Sequence, residues 1–370
     1  MPETGRAAVY LDYGQPFEIC DVPLPDVEPG AILVRVTSAG ICGTDLHMWR
    51  GDIRLTAAGS GARILGHEMA GRIYRLGANI KTDSLGQTLK QGDRVVYPYF
   101  HPCLRCYQCL RGEYFACPTR YPALPIVDRF PHFTGAYAEY FYLPPGHFVF
   151  KAPEDLPEEM LTPVNCALSQ VIFGLRRAGL QLGDAVVIQG AGGLGINATA
   201  VAREMGANQI IVIDRVPERL ELARACGADH LIDINEYPEP PDRIKRVKEL
   251  TGKRGADVVV EVVGLPAVIA EGVEMTRAGG TYLEMGNVSA GQATLEPLRL
   301  TWFSRRVVAV NTYDPWVLPV ALDFLQRTRD KYPIHQVMSH RFPLEQINEA
   351  FEKAEWAGRQ TAATRVSVAP

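Results

Sequence analysis

Positive charge is not in excess in this sequence: 38 Lys and Arg stand against 42 Asp and Glu, a formal net charge of −4. Neither nucleic acid nor an anionic membrane surface is therefore an expected partner. No apolar run approaches the ~18 residues that would suggest a membrane span. The opening M-P-E-T-G-R-A-A-V-Y has no basic region followed by an apolar stretch, so no secretory leader is expected and the cytoplasm is the expected compartment. Internal repeats and low-complexity tracts are missing as well. What is present, 370 residues of which 47% are apolar and 22% charged, suits a soluble globular chain with two domains rather than one core.

Cysteine is neither rare nor spread evenly. Of eight, Cys103, Cys106, Cys109 and Cys117 fall within fifteen residues; the others are Cys20, Cys42, Cys166 and Cys226. In a cytosolic chain such clustering favours metal over disulfides. C-x-x-C-x-x-C with a fourth cysteine after seven residues can wrap one tetrahedral ion, as closed all-cysteine zinc sites do. Ferredoxins space three cysteines the same way, so an iron–sulfur cluster is the rival, with free or bridged thiols as the plainest alternative. Zinc is the preferred reading.

The stretch G-I-C-G-T-D-L-H, residues 40–47, offers a thiol (Cys42), a hydroxyl (Thr44), a carboxylate (Asp45) and an imidazole (His47) in eight positions. G-H-E follows with His67 and Glu68, and Cys166 sits in an apolar helical segment. Taken alone, Cys166 reads as a small buried residue. Taken together, Cys42, His67 and Cys166 make three metal ligands with a fourth position open, the pattern of zinc sites that do chemistry.

Residues up to about 150 read as short strands broken by Pro and Gly, mainly β and barrel-like. Met160, Leu161, Val164, Leu168, Val171, Ile172 and Leu175 then recur at helical spacing, predicting one helix over 157–179 that stops at Gly179. Six apolar strands alternate with helical patterns from A-V-V-I-Q to V-V-A-V-N, which indicates a doubly wound parallel sheet. The first strand runs into G-A-G-G-L-G, residues 190–195, and the next ends at Asp214, nineteen residues past Gly195. In that setting Gly190, Gly192, Gly193, Leu194 and Gly195 read as a dinucleotide turn, whose glycines let backbone and helix N-terminus approach a pyrophosphate. Asp214 would bind ribose hydroxyls and repel a 2′-phosphate, favouring NAD; Arg215 beside it is the feature that would admit NADP. The run D-R-I-K-R-V-K-E, residues 242–249, reads as a solvated helix face. Strands near 336–342 and 364–368 with a helix over 344–357 close the chain. Trp49 and the segments 50–63 and 118–135 are the expected pocket walls.

On C-G-T-D-L-H, G-H-E, the four-cysteine lobe, Cys166 and G-A-G-G-L-G, nearly the full chain resembles the zinc-dependent alcohol dehydrogenases of the medium-chain dehydrogenase/reductase superfamily. The resemblance implies a GroES-like catalytic domain (1–158 and 312–370) around a Rossmann domain (159–311). It implies catalytic zinc on Cys42, His67 and Cys166, and structural zinc in the lobe, two per chain. Thr44 and His47 then match a proton relay, Asp45 a carboxylate orienting the ligand histidine, Glu68 an acid adjoining the metal, and Arg365 a contact to the pyrophosphate. The implied reaction is hydride transfer between a primary, secondary or polyol alcohol and NAD, in a homodimer or homotetramer. The rival readings are a zinc-independent quinone or enoyl reductase of the same superfamily, which metal analysis separates, and a non-catalytic dinucleotide-binding protein, which an alcohol-dependent NADH assay separates.

Overall fold

The computed structural model describes residues 3–53, 62–121, 126–286, 291–355 and 364–370. The expected helix end past 355 and much of the expected wall segments (54–61 and 122–125) lie outside these. The N-terminal part supplies strands β1 (Thr4–Tyr10), β2 (Glu18–Pro23), β3 (Ile32–Ile41), β4 (Arg63–Ile64), β5 (Glu68–Leu76), β6 (Arg94–Val96), β7 (Tyr140–Leu143) and β8 (Phe150–Lys151), with helices α1 (Gly43–Arg50) and α2 (Tyr107–Leu110). Helices α3 (Glu158–Leu161) and α4 (Ser169–Ala178) lead into β9 (Ala185–Gln189), α5 (Gly193–Glu204), β10 (Gln209–Asp214), α6 (Pro217–Ala225), β11 (His230–Asp233), α7 (Pro240–Leu250) and β12 (Ala256–Glu261). The chain continues through α8 (Ile269–Met275), β13 (Thr276–Glu284), α9 (Pro297–Trp302) and β14 (Arg306–Ala309). It ends with α10 (Val317–Thr328), β15 (Met338–Pro343), α11 (Ile347–Ala354) and β16 (Arg365–Ala369).

Six strands form one parallel sheet in the order β11-β10-β9-β12-β13-β14. The three central strands, β10, β9 and β12, are nearly uninterrupted Val and Ile because helices cover both faces: Val186, Ile188, Ile210, Val212, Val258 and Val260 are all buried. Each such side chain contributes about 1.5–3 kcal/mol relative to exposure. The strand order reverses between β9 and β12, and the crevice at their carboxyl ends is where such sheets bind ligands. The second sheet joins both ends of the chain. Its order is β15-β16-β3-β5-β6-β8, with β7 also on β3, while β2-β1-β4 form a third, smaller sheet. Thus β16, the last strand, pairs with β3 just ahead of Cys42, Ser367 lying opposite Gly40.

Three expectations are corrected. The helix over 157–179 is interrupted: after Pro163 comes a π turn at Val164–Leu168, in which the Leu168 amide donates to the Pro163 carbonyl at 3.1 Å, before α4 runs to Gly179. In α7, Arg243 is not solvated. It is buried with Val247 one turn on, and its guanidinium donates to both Glu271 oxygens at 2.7 Å and to the carbonyls of Tyr237 and Pro238. Trp49 turns from the cleft to pack on Phe351, and its indole N–H donates to the Gln15 carbonyl at 3.2 Å.

Two carboxyl groups face each other across the sheet, Glu261 of β12 in register with Glu284 of β13. Burial, followed by the hydrogen bond and charge of Glu284, pushes the Glu261 carboxyl up to about 8. A folded pKa above the unfolded one means that stability is fully present below the unfolded carboxyl pKa and is lost as pH rises through about 8. Glu284→Gln is expected to remove part of that slope. Its melting temperature should gain on the parent between pH 5.5 and 8.5, and a parallel pH dependence in the two proteins would refute the pairing.

Candidate active site

Helix α1 begins at Cys42, and Asp45 at its third position accepts from the Cys42 amide (Oδ2, 2.9 Å). The same oxygen accepts from the buried Tyr137 hydroxyl at 2.9 Å, while Oδ1 lies 3.2 Å from His67 Nδ1. A carboxylate tied to one candidate ligand's amide and another's ring holds both in place, and it presents the other imidazole nitrogen as the metal-facing atom. The π turn adds one residue to a helical turn and sets Cys166 against them, a common use of such bulges at functional sites. Ligand atoms of Cys42, His67, Glu68 and Cys166 lie within 4.8 Å of one another.

The donor set fits a dication. A hydrogen bond from Cys166 holds the Cys42 thiol well below the usual range, while the same contact and burial push Cys166 well above it. Burial opposes charge on His67, but the negative Asp45 and Cys42 outweigh it and raise the imidazole. Buried sulfur and nitrogen atoms that already stabilise one negative charge are what a soft-ligand cation requires. Behind them Glu68 and Arg365 form a buried ion pair, and burial first pushes the Glu68 carboxyl up to about 7 against the pull of Arg365.

Cys42, His67, Cys166 and Arg365 share one cavity of about 1270 Å³ with the glycine turn. Gly195 is forced by contact: a Cβ there would stand 1.9 Å from the Gly190 carbonyl oxygen. The N-terminus of α5 therefore opens on the cleft, with Gly190, Gly192, Gly193 and Leu194 in its lining. Arg365 crosses the turn, its Nε 2.7 Å from where a Gly193 Cβ would be. At the far end Asp214 is buried, Oδ2 accepting from the Ala191 amide (2.6 Å) and Oδ1 from the Arg215 and Val216 amides (2.7 and 2.9 Å). Arg215 lines the cleft, and so does Arg219, one turn along α6. Thr44 and His47, on one face of α1 at i and i+3, line it beside Cys42.

Sequence reasoning missed Tyr137, Arg219, Tyr99 and Asp52. The Tyr99 ring lies 4.9 Å from that of His67 and its hydroxyl 3.5 Å from that of Tyr121, making the wall aromatic. Asp52 Oδ2 is 2.8 Å from His47 Nδ1, and its only sequence signal is a carboxylate just past the glycine that ends α1.

In the lobe, all four thiols of Cys103, Cys106, Cys109 and Cys117 are free and within 4.8 Å of one another. Leu104 takes a left-handed conformation (φ 58°), turning the chain within the first C-x-x-C. Backbone donation from Arg105 lowers Cys103 to about 6, and burial raises Cys109 to about 12. Four sulfurs at this separation close a tetrahedral shell without any other donor.

Comparison with known proteins agrees with this geometry. Residues 28–154 match the model of the alcohol dehydrogenase GroES-like domain, and residues 193–327 that of the zinc-binding dehydrogenases. The chain is 35% identical to 5-exo-hydroxycamphor dehydrogenase of Pseudomonas putida over 94% of both chains. It is 31% identical to sorbitol dehydrogenase of Bacillus subtilis over 96% of this chain and 94% of the relative. Among solved structures, an alcohol dehydrogenase from Thermotoga maritima superposes with a TM-score of 0.89 at 30% identity, each chain fully covered. No described helix is long and apolar enough to cross a membrane. With its parallel sheet, glycine turn and Cys–His–Cys cluster, the chain belongs to the zinc-dependent alcohol dehydrogenases of the medium-chain dehydrogenase/reductase superfamily.

Proposed function

We propose that this protein interconverts an alcohol, primary, secondary or polyol, with its aldehyde or ketone, using NAD as hydride partner. The observation that carries the reading is that Cys42, His67 and Cys166 open into the same cleft as the glycine turn. Cys42, His67 and Cys166 would hold the catalytic zinc, and Cys103, Cys106, Cys109 and Cys117 a structural one. Zinc in the first set supplies Lewis acidity that lowers the pKa of an oxygen ligand. The dinucleotide supplies a hydride acceptor for the carbinol carbon.

The chain's own residues do the rest. Thr44 holds the substrate's hydroxyl proton at Oγ1 and passes it outward, and His47 carries it on. Asp45 and Tyr137 keep His67 oriented. Glu68 keeps Arg365 over the glycine turn, where the guanidinium and the start of α5 meet a pyrophosphate. Asp214 accepts from ribose hydroxyls, and its charge disfavours a 2′-phosphate. The catalytic lobe comprises 1–158 and 312–370, the dinucleotide lobe 159–311. A cytoplasmic homodimer or homotetramer is the assembly that fits this reading.

A panel of primary, secondary, alicyclic and polyol alcohols, each with NAD and NADP, tests the reading on zinc-replete protein. Alcohol-dependent NADH formation is expected, with kcat/KM at least ~10-fold higher for NAD than for NADP, about 1.4 kcal/mol of discrimination. The relatives' names and the Tyr99 wall make alicyclic alcohols an informative arm. Quinone- or enone-dependent consumption of reduced cofactor without alcohol turnover would favour the reductase reading instead.

A further inference from the structure

We infer that Asp52 is a positioning residue for proton transfer: it fixes His47 in the tautomer whose Nε2 accepts the proton leaving the cleft. The inference rests on the dehydrogenase reading, in which His47 carries that proton.

The geometry begins at the end of α1. Gly51 takes a left-handed conformation (φ 83°), and the reversal lets the Asp52 amide donate back to the His47 carbonyl at 2.9 Å. The turn thereby returns the Asp52 carboxylate to the His47 ring, Oδ2 standing 2.8 Å from Nδ1. Arg50 closes the group. Its Nε donates to the same Oδ2 at 2.9 Å, its Nη1 to Glu355 Oε1 at 2.6 Å, and its Nη2 lies 3.0 Å from His47 Nδ1.

Nδ1 cannot satisfy both neighbours. If it carries a proton, it donates to the carboxylate and the Arg50 Nη2 approach is only a near contact. If it presents a lone pair, it accepts from Arg50 but faces a carboxylate oxygen at 2.8 Å with no proton between them. The charge-assisted N–H···O bond is the stronger choice, and Arg50 already serves two carboxylates through Nε and Nη1. With the proton on Nδ1, Nε2 is the ring's acceptor, and the imidazole lines the cleft.

Among the described residues, the charges paired with the ring are Asp52 and Arg50 from the end of α1, with Glu355, just past α11, acting through Arg50. When Nε2 takes the relayed proton, Asp52 stabilises the imidazolium without itself being protonated, as the carboxylate of a Ser-His-Asp triad does. The imidazolium then loses its proton to water or buffer. The His47 side chain is only 6% exposed and that of Asp52 40%, so the carboxylate stays partly solvated while it holds the ring.

The test reads the tautomer directly. In protein labelled with 15N-histidine, the His47 signals are identified by their loss in His47→Gln. The proton is expected on Nδ1 in the parent and in Asp52→Glu, and on Nε2 in Asp52→Ala, where Nδ1 accepts from Arg50 Nη2 instead. In parallel, Asp52→Asn should lower kcat for alcohol oxidation by ~10- to 100-fold, leave zinc content and the KM for NAD unchanged, and recover in part with imidazole buffer. A parent His47 protonated on Nε2, or an Asp52→Asn enzyme with undiminished kcat, would overturn the inference. Failure of the underlying reading looks different: the parent protein itself forms no NADH from any alcohol, whatever the tautomer.

Discussion

Cys42→Ala and His67→Ala are each expected to abolish alcohol turnover, lowering kcat by at least ~10³-fold, while NADH still binds. The magnitude follows from losing several kcal/mol of charge stabilisation at the reacting oxygen, at about 1.4 kcal/mol per tenfold in rate. The specificity follows from the layout. Cys42, His67 and Cys166 sit at the α1 and π-turn side of the cleft, whereas Asp214 and the Ala191 amide it accepts from stand at the dinucleotide end. Loss of His67 also unties one of the three groups that Asp45 holds, whereas Cys42→Ala keeps the backbone amide from which Asp45 accepts. Metal analysis should show one zinc per chain lost in each variant, and NADH fluorescence titration should give a dissociation constant within about threefold of the parent, a difference under 1 kcal/mol. A variant emptied of that metal yet turning over normally would refute the assignment.

How much of this was legible beforehand depends on whether the signal was local. The parallel sheet read directly, because burial on both faces writes itself as contiguous Val and Ile in its central strands β10, β9 and β12. The glycine turn read as well, since the 1.9 Å approach at Gly195 admits no other residue without backbone movement. The convergence of Cys42, His67 and Cys166 was inferred from residue chemistry, and the structure brings their ligand atoms together. The π turn did not read. One extra residue in one turn leaves the apolar spacing on either side intact, so the segment looked like a single helix.

Arg243 and Asp52 show a second kind of blindness. Arg243 looked solvated because its neighbours are charged, but the Ile244 and Val247 stripe faces the core and Glu271 waits there with two acceptors. Asp52 looked like any loop carboxylate, and only the Gly51 reversal returns it to His47. Both depend on a partner supplied by backbone geometry, which residue spacing alone does not encode. Trp49 is the converse case: adjacent to the site in sequence, it is drawn into the core by Phe351.

Cys103→Ala is expected to act on stability before chemistry, lowering the melting temperature by roughly 3–6 °C, as loss of a structural metal worth a few kcal/mol would. The lobe has almost no core of its own. Its one α-helix among the described residues is the four-residue α2, and Leu104, Tyr107 and Leu110 are 44%, 70% and 78% exposed. What order it has comes from the sulfurs and from scattered ties to the rest of the chain, among them the Tyr114–Phe148 and Phe115–Phe173 ring contacts. The Phe115 amide donates to Asp314 at 2.9 Å, and the Arg177 guanidinium lies 4.5 Å over the Phe115 ring. With one thiolate gone the shell opens, and a chain segment with little hydrophobic interior of its own must be held by such peripheral contacts. None of the four cysteines lines the cleft, so turnover well below the melting transition should stay within about twofold of the parent, under 0.5 kcal/mol in barrier. Scanning calorimetry with metal analysis decides the matter: two zinc ions per parent chain, one per variant, and a lower transition. An unchanged transition would remove the folding role of the metal, and iron with visible charge-transfer absorbance in the parent would replace zinc with a cluster.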